Sequence, residues 1–358
     1  MIGKGGSSRV YRVMNQANEI YALKRVTIND KEEETMDGYI NEIQLLKRLD
    51  GNQRIIRLVD SEVRTANNGK GSLTLVLEFG EIDLAKLLLE RQKESLDLVW
   101  VAYYFKQMLQ AVQVIHEEKI VHSDLKPANF VLVKGQLKLI DFGIANAIAN
   151  DTTNIQRDHQ IGTVNYMSPE AIELPEGRDR LKLGRPSDVW SLGCILYQMV
   201  YGCPPFHHLD LYQKMRAIPD QRHVIDFQDF SVPPALRNGS DSPASQRRVE
   251  QMKVRVPPGV VATMRRCLVR DPKERITIPE LLEENWLTMR EPEPVPPPPA
   301  AKLALADDEA LINPHFMQQL LRYGLQMGLA GNHMDAEQLA TDAQRLVTEL
   351  RAVQAASE

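Results

Sequence analysis

The stretch that decides the fold of this chain is His122-Ser123-Asp124-Leu125-Lys126-Pro127-Ala128-Asn129. Within six positions it supplies a carboxylate at Asp124, a cation at Lys126 and an amide oxygen at Asn129. A phosphoryl transfer needs a carboxylate that orients the attacking hydroxyl and takes its proton. It also needs a cation on the moving phosphate and an oxygen ligand for Mg²⁺. The stretch therefore predicts a phosphoryl-transfer site, in which His122 packs against the loop and orients it.

The composition excludes several other classes of protein. The chain has 358 residues, of which 43% are hydrophobic and 25% charged, and its formal net charge is -5. That balance gives no bulk attraction to DNA or to an anionic membrane, so we expect no direct nucleic-acid or membrane partner. The three cysteines lie far apart, which argues against a disulfide scaffold and fits an intracellular, reducing compartment.

Hydrophobic periodicity divides the chain into a strand-rich part and a helical part. Strand-like runs precede residue 80 at 20–26, 55–59 and 73–79, and one helical pattern covers 35–49. Helical patterns follow at 99–116 and 187–201, and the runs 130–133 and 137–140 indicate a hairpin. Two further helical patterns, at 307–327 and 335–353, come after a Pro-rich stretch.

Near the start of the chain lies a glycine-rich segment, Gly3-Lys4-Gly5-Gly6-Ser7-Ser8-Arg9-Val10. Glycines let a backbone approach phosphate oxygens closely, but a plain turn explains the segment equally well. Lys24 follows on a strand pattern, where it is either a phosphate ligand or a solvated strand lysine. Glu42 is either the residue that neutralises and positions Lys24 or a solvated helix residue.

From Gly3 to about Met289 the sequence resembles a eukaryotic protein kinase. The resemblance implies an α+β, bilobal fold, with ATP in the cleft between a small β-rich lobe and a larger helical lobe. We expect the small lobe over 1–80 with its first strand truncated, and the large lobe over 81–289 with a surface insertion at about 231–258. A Pro-rich linker over 290–306 and a helical tail over 307–358 would follow.

A narrower resemblance is to the monopolar spindle kinases, the TTK-type dual-specificity kinases of the spindle assembly checkpoint. It rests on residues 122–130, on Leu137-Lys138-Leu139-Ile140-Asp141-Phe142-Gly143-Ile144-Ala145-Asn146 and on Gly162-Thr163-Val164-Asn165-Tyr166-Met167. Ser123 stands before the catalytic aspartate, where most kinases have arginine, and this departure is shared with the TTK-type family. The chain lacks the long N-terminal targeting region of that family, which suggests a fragment or a truncated gene model.

The resemblance implies a role for each site residue. Asp124 is the catalytic aspartate, Lys126 stabilises the γ-phosphate, and Lys24, held by Glu42, binds the α- and β-phosphates. Asn129 and Asp141 bind Mg²⁺. Structural roles fall to His122, Phe142, Asp188, which binds amides of the catalytic loop, and Arg275, which pairs with Glu170.

The nucleotide site implied by the resemblance lies under the glycine-rich loop and against the hinge, with Leu77 as gatekeeper. Asp83 either reaches the ribose or caps the next helix. The residues expected to line the site are Ile2, Gly3, Lys4, Gly5, Gly6, Ser7, Ser8, Val10, Ala22, Lys24, Leu77, Glu78, Phe79, Gly80, Asp83 and Val131.

The activation segment is expected to include Thr152, Thr153, Thr163 and Glu170. Because Ser123 cannot pair with a phosphate as an arginine does, phosphorylation of a threonine would act through other basic residues or by ordering the loop. The alternative is that Thr152 and Thr153 are ordinary loop residues. The basic segment 174–187 either favours acidic peptides or is a solvated loop.

The resemblance further implies protein substrates at kinetochores, self-association for trans-autophosphorylation, and a location in the nucleus, at kinetochores or at spindle pole bodies. The main alternative is a pseudokinase or truncated kinase fragment that acts as a binding scaffold. A small-molecule kinase is a second alternative, but it would lack the segment from Thr163 to Glu170 and the Arg275 partner. The tail either docks on the large lobe or binds a partner helix.

Overall fold

A computed structural model describes residues 1–4, 8–29, 33–65, 70–142, 164–172, 183–237, 243–288, 317 and 335–355. Its contacts divide the chain into two units, Met1–Glu291 and Pro292–Glu358. The strands are β1 (Gly3–Lys4), β2 (Ser8–Met14), β3 (Ile20–Asn29), β4 (Leu58–Thr65), β5 (Lys70–Glu78), β6 (Ile82–Asp83), β7 (Phe130–Val133), β8 (Gln136–Leu139), β9 (Phe230–Ser231) and β10 (Val254–Arg255).

Helices make up most of the remaining described residues. They are α1 (Glu33–Arg48), α2 (Leu84–Glu90), α3 (Leu98–Glu117), α4 (Pro169–Ile172), α5 (Arg185–Tyr201), α6 (Leu211–Ala217), α7 (Pro234–Arg237), α8 (Pro243–Met252), α9 (Pro258–Cys267), α10 (Ile278–Leu282), α11 (Asn285–Thr288) and α12 (Ala336–Ala355). Short 3₁₀ turns lie at Arg91–Lys93, Pro127–Asn129 and Val164–Tyr166. The strands before residue 80 and the helices after it give the expected α+β architecture.

A five-stranded antiparallel sheet in the order β1-β2-β3-β5-β4 forms the small lobe. Alternate residues of β5, Leu73, Leu75 and Leu77, are buried because successive side chains of a strand point to opposite faces. Helix α1 buries Leu45 and Leu46 in the same core. In the sheet Lys24 lies opposite both Val10 and Leu75, which places its amine on the central strand.

The prediction of a strand over 55–59 was wrong at its start. Strand β4 begins at Leu58, whereas Ile55 forms only an isolated bridge with Leu139. The amide of Ile56 donates to the carbonyl oxygen of Leu139 at 3.0 Å. Ile55 and Ile56 are buried because the chain crosses toward β8 before the sheet of the small lobe begins. A short apolar run does not reveal which strand it pairs with.

A three-stranded sheet, β6-β7-β8, lies at the start of the larger lobe and carries residues of the predicted site at its ends. Strands β7 and β8 are joined by Lys134 and Gly135, both at positive φ, which is the geometry of a tight two-residue hairpin turn. Asn129 directly precedes β7 and Asp141 follows β8 by two residues. The hairpin therefore brings Asn129 and Asp141 to neighbouring strand ends.

Helix α5 is buried almost all round, as predicted from a sequence that is apolar on nearly every face. Gly193 allows α9 to approach closely, because a Cβ at this position would lie 2.6 Å from the Cβ of Cys267. The helix runs through the core of the larger lobe, so a polar side chain on it is held rigidly. Asp188 is such a side chain and is fully buried.

Segment 231–258, predicted as a surface insertion, contains helices α7 and α8 and strand β10, which pairs with β9 at the start of the segment. Ser231 is buried, with its hydroxyl donating to the carbonyl oxygen of Val200 at 2.6 Å. The predicted linker over 290–306 and all but one residue of the helix predicted over 307–327 lie outside the described residues. Of the helices in the described part of the chain, none has the length and apolar character needed to cross a membrane.

Replacing Gly202 by alanine should destabilise the fold by about 2–4 kcal/mol, the sum of backbone strain and steric overlap. Gly202 ends α5 at φ 78°, and a Cβ there would lie 2.2 Å from the Cγ of Pro234. Gly51→Ala is the matched control, since Gly51 has φ 83° with no atom within 4 Å of the added Cβ. Urea denaturation should give a loss of only about 1 kcal/mol for the control. Equal losses would contradict the steric argument.

Candidate active site

The loop between α3 and β7 brings Asp124, Lys126 and Asn129 together through its own hydrogen bonds. The Lys126 Nζ donates to Asp124 Oδ2 at 2.7 Å, and the Lys126 amide donates to Asn129 Oδ1 at 3.0 Å. The side chains of Asp124 and Lys126 are 23% and 31% exposed, so both can reach a substrate in a cleft. A carboxylate beside an ammonium group is the pair that transfer to a hydroxyl requires.

A buried carboxylate on α5 holds the start of this loop. Asp188 Oδ1 accepts the amide of Ser123 at 2.8 Å, and Asp188 Oδ2 accepts the amide of His122 at 2.9 Å. Ser123 adopts φ 61°, an unfavourable value for a residue with a side chain, so the loop is strained at this point. The two charge-assisted bonds offset the strain and aim the next residue, Asp124, out of the core.

His122 links the catalytic loop to the predicted metal ligand Asp141. The amide of Asp124 approaches His122 Nδ1 at 3.3 Å, and His122 Nε2 lies 2.9 Å from the carbonyl oxygen of Asp141. The network assigns the ring proton to Nε2, which donates to that carbonyl, while Nδ1 accepts. His122 therefore orients two backbone segments, and both nitrogens are used for that purpose.

Asn129 and Asp141 are adjacent because the amide of Ile140 donates to the carbonyl oxygen of Asn129 at 2.9 Å. A carboxamide and a carboxylate are oxygen donors of the kind that Mg²⁺ prefers. Among the described residues, no group of three His, Cys, Asp or Glu side chains is spaced to hold a metal ion. A metal held by two protein ligands and by phosphate oxygens fits this donor set. Phe142, next in the chain, is fully buried.

The structure brings Lys24 of β3 close to Glu42 of α1, with Lys24 Nζ 3.9 Å from Glu42 Oε1. Burial raises the pKa of the Glu42 carboxyl, the charge of Lys24 opposes this, and the negative charge of Asp141 adds to it. Burial alone would lower the pKa of Lys24, but Glu42 and Asp141 outweigh it and raise that pKa above its usual value. The Lys24 ammonium group is therefore influenced by two carboxylates, those of Glu42 and Asp141, and both favour its charged form.

The hinge between β5 and β6 has the close packing that a nucleotide wall needs. Leu77 is 7% exposed, as expected of a gatekeeper at the back of a pocket. A Cβ on Gly80 would lie 2.2 Å from Cγ2 of Val131, so only glycine allows the hinge to lie against β7. Phe79 lies under the guanidinium of Arg12 of β2, at 5.3 Å from the ring centroid.

For Asp83 the structure supports the capping alternative. Asp83 Oδ1 accepts the amide of Lys86 at 2.9 Å, which caps the N-terminus of α2, and Oδ2 lies 3.1 Å from Lys86 Nζ. A ribose contact at this position stays a prediction. The start of the chain approaches the second strand, with the amide of Ile2 donating to the carbonyl oxygen of Val10 at 2.8 Å.

Away from the cleft, Arg275 anchors the segment that carries Glu170. Arg275 Nη1 and Nη2 donate to the two carboxylate oxygens of Glu170 at 2.7 and 3.0 Å. The same guanidinium donates to the carbonyl oxygens of Pro186, Val269 and Arg270. The side chain of Arg275 has no exposed surface, so this charge is held entirely by these acceptors.

Sequence reasoning missed His116, which belongs to the network that holds the loop. His116 Nε2 lies 2.8 Å from Asp188 Oδ2, and the carbonyl oxygen of His116 accepts from Arg185 at 2.6 Å. Both partners lie about 70 residues away in sequence, so no local motif marks this histidine. The only signal is a polar residue in the apolar pattern of α3.

Several predicted site residues lie outside the described residues. They are Gly5, Gly6 and Ser7 of the glycine-rich loop, Thr152, Thr153 and Thr163 of the activation segment, and most of the basic segment 174–187. The activation-segment roles of Thr152, Thr153 and Thr163 are therefore still predictions. The described residues bring together both predicted metal ligands, the catalytic loop and the Lys24–Glu42 pair.

Comparison with known proteins adds to this geometry. The family model for the protein kinase domain matches residues 1–287. The serine/threonine-protein kinase mph1 of Schizosaccharomyces pombe is 50% identical over 293 residues, which cover 80% of this chain and 42% of the relative. The probable serine/threonine-protein kinase mps1 of Dictyostelium discoideum is 47% identical over 292 residues, covering 80% and 27%. The dual specificity protein kinase TTK of Mus musculus is 43% identical over 296 residues, covering 81% and 31%.

This chain thus spans less than half the length of these curated relatives. The matched part contains the catalytic loop, the Lys24–Glu42 pair and the Glu170–Arg275 anchor, so the comparison covers the whole site described above. The resemblance to TTK-type kinases seen in the sequence is confirmed by these relatives. On the match of the domain model to four-fifths of its length, the chain belongs to the protein kinase family.

Proposed function

We propose that the chain transfers the γ-phosphate of ATP to serine and threonine hydroxyls of proteins, and to tyrosine as in dual-specificity kinases. The observation that carries the proposal is the hydrogen bond from Lys126 Nζ to Asp124 Oδ2, 2.7 Å long, in the loop that is strained at Ser123. Asp124 orients the substrate hydroxyl and accepts its proton as the hydroxyl oxygen bonds to the γ-phosphorus, while the bond from the γ-phosphorus to the β,γ-bridging oxygen breaks and ADP leaves. Lys126 then balances the charge on the transferred phosphoryl group.

Lys24 has a positioning and electrostatic role on ATP. Its charge is preserved by Glu42 and Asp141, whose carboxylates raise its pKa. A permanent ammonium group at a fixed place favours the phosphate chain of ATP without moving during the reaction. Glu42, which is 3% exposed, holds the amine from the helix side.

Asn129 and Asp141 are the residues that would hold Mg²⁺. The fit rests on their oxygen donors, a carboxamide and a carboxylate, which are ligands that Mg²⁺ prefers. When bound, the ion neutralises negative charge on the phosphate oxygens of ATP. Asn129 keeps its orientation because its Oδ1 accepts a hydrogen bond from the amide of Lys126. Asp141 is oriented by the ring of His122, whose Nε2 donates to its carbonyl oxygen.

A phosphoryl-transfer assay tests the proposal. The purified chain is incubated with γ-labelled ATP, Mg²⁺ and casein, and the label in protein is counted for the wild type, Lys24→Met and Arg25→Met. Lys24→Met should lower kcat/KM by about 10²-fold or more, because the variant removes a fixed charge from the phosphates. Arg25 is the matched control, since it is the next residue of β3 and its side chain is exposed.

Labelling of casein at the same rate by the wild type and Lys24→Met would overturn the role of Lys24. A wild type that binds ATP but never transfers label would instead favour the binding-scaffold alternative. Parallel phosphoamino-acid analysis reports whether serine, threonine or tyrosine carries the label.

The cellular role that we propose is spindle-checkpoint signalling, with kinetochore or checkpoint proteins as substrates. The support is the resemblance to TTK-type kinases, and the proposed location is the nucleus, at kinetochores or spindle pole bodies. Fluorescent tagging of the full-length protein in mitotic cells would test the location. Depletion should let cells treated with a spindle poison leave mitosis early, and an unchanged arrest would contradict the role.

We also propose that two copies phosphorylate each other at Thr152, Thr153 or Thr163. The support is the position of these threonines between Asp141 and Glu170 in the sequence. Labelling of the purified chain should then rise with the square of its concentration, and peptide mapping should find phosphate in 151–163. A first-order rate, or an unmodified segment, would argue against trans-autophosphorylation.

A further inference from the structure

An ion pair that no catalytic role accounts for joins the hinge to β8. Lys138 Nζ donates to Glu78 Oε1 at 2.6 Å. The side chains of Lys138 and Glu78 are only 14% and 16% exposed, unlike an ordinary surface pair. An exposed ion pair contributes little, whereas breaking a mostly buried pair leaves one charge without compensation. Loss of either side chain would therefore leave a mostly buried charge without its partner at the hinge.

The carboxylate of Glu78 fixes a third segment as well. The same Oε1 accepts the amide of Arg57 at 2.7 Å, and the amide of Glu78 donates to the carbonyl oxygen of Arg57 at 3.0 Å. Arg57 immediately precedes β4. One carboxylate oxygen thus joins the entry of β4, the end of β5 and the middle of β8.

A second carboxylate holds the other end of the hinge. Glu81 Oε1 accepts the amide of Lys134 at 2.8 Å, and the amide of Glu81 donates to the carbonyl oxygen of Leu132 at 2.8 Å. The intervening residues, Phe79 and Gly80, provide the backbone groups expected to meet the adenine. They are held between two fixed points.

The strand that Lys138 occupies also leads to the metal site. In the hairpin Lys138 lies opposite Val131, which packs against Gly80, and it precedes Asp141 by three residues. The pair with Glu78 therefore couples the backbone that meets the adenine to the strand that ends at a phosphate-side ligand.

We propose that Lys138 and Glu78 form a positioning pair, which holds the hinge backbone in the arrangement that binds the purine of ATP. The proposal rests on the proposed function. When the pair is lost, the hinge backbone is less ordered before nucleotide binds. The free energy needed to order it on binding then weakens the affinity for nucleotide. The expected effect is an increase of about tenfold in the KM for ATP and in the Kd for ADP, with kcat changed less than about twofold.

The test measures nucleotide binding and turnover on the full chain in the variants Lys138→Met, Glu78→Gln, their double and Lys138→Arg. Binding is followed with a fluorescent ADP analogue without Mg²⁺, so the readout does not depend on activity. Each single variant and the double should weaken binding by a similar factor, because the two residues act as one unit. Lys138→Arg keeps a cation within reach of Glu78 and should stay close to the wild type.

Arg266→Met is the matched control, since Arg266 also pairs with a glutamate, Glu284, but far from the hinge in sequence and on another element. It should leave ADP affinity unchanged. Thermal unfolding of every variant separates a folding defect from a binding defect, and Glu78→Gln with Lys138→Arg remains informative if Lys138→Met is unfolded.

Three results would overturn the positioning pair: unchanged ADP affinity in both single variants, additive losses in the double, or a lower kcat at constant KM. These results are distinct from a failure of the proposed function. A wild type that binds no ADP analogue, or transfers no phosphate, would refute the function itself. Normal transfer by the wild type together with normal ADP binding by both single variants would refute only the pair.

Discussion

Replacement of Asp124 by asparagine should lower kcat by about 10³-fold while the Kd for ADP stays within about twofold of the wild type. The change removes the group that accepts the hydroxyl proton but keeps its size and its place beside Lys126. The loop itself should not move, because its strain is held by Asp188 through the amides of His122 and Ser123. The loss therefore falls on the chemical step.

Steady-state kinetics with saturating ATP, together with ADP binding, would measure both effects. Asp97→Asn is the control, because Asp97 caps α3 by accepting the amide of Trp100 and asparagine caps as well as aspartate. It should leave kcat unchanged. Near-normal turnover in Asp124→Asn would remove Asp124 from the chemistry, and lost ADP binding would point to a damaged site.

Replacement of Arg275 by methionine should lower the free energy of unfolding by about 3–5 kcal/mol, the cost of breaking a buried ion pair from one side. Five hydrogen bonds from one guanidinium disappear, and two of them are the bonds from Arg275 to Glu170. Three backbone carbonyl oxygens, those of Pro186, Val269 and Arg270, lose a partner in the interior. Methionine also gives up the stacking of the guanidinium over Trp190, 5.3 Å from the ring centroid.

Urea denaturation followed by circular dichroism would measure this loss. Lys273→Met, two residues earlier on an exposed side chain, is the control and should change stability by less than about 0.5 kcal/mol. A loss below about 1 kcal/mol in Arg275→Met would mean that the buried anchor contributes little to the fold. Such a result would mean that Arg275 has no structural role in holding Glu170 and the segment around it.

The sequence allowed the fold class and the local part of the site to be predicted, because those features depend on short spacings. The catalytic loop closes on itself through bonds between residues three or fewer positions apart, such as Lys126 to Asn129. The hairpin turn at Lys134-Gly135 and the helix cap at Asp83 are equally local. The prediction of the Lys24–Glu42 pair, which joins a strand to a helix, came from a resemblance and not from the spacing alone.

What could not be predicted depends on contacts between distant positions. His116 meets Asp188 across 72 residues, and Glu78 meets Lys138 across 60. Each of these residues looks like an ordinary charged or polar side chain until the fold buries it. The wrong start of β4 has the same origin, since Ile55 forms a bridge with Leu139 of β8 instead of pairing within the sheet of the small lobe.

The buried carboxylate of Asp188 also decides which sequence changes the site can tolerate. The direction in which Asp124 points is set from inside α5, below the surface that meets a substrate. Residues around the cleft can therefore vary, and with them the choice of protein substrate, without displacing the proton acceptor. A single change in the interior of that helix would displace it without altering any surface residue.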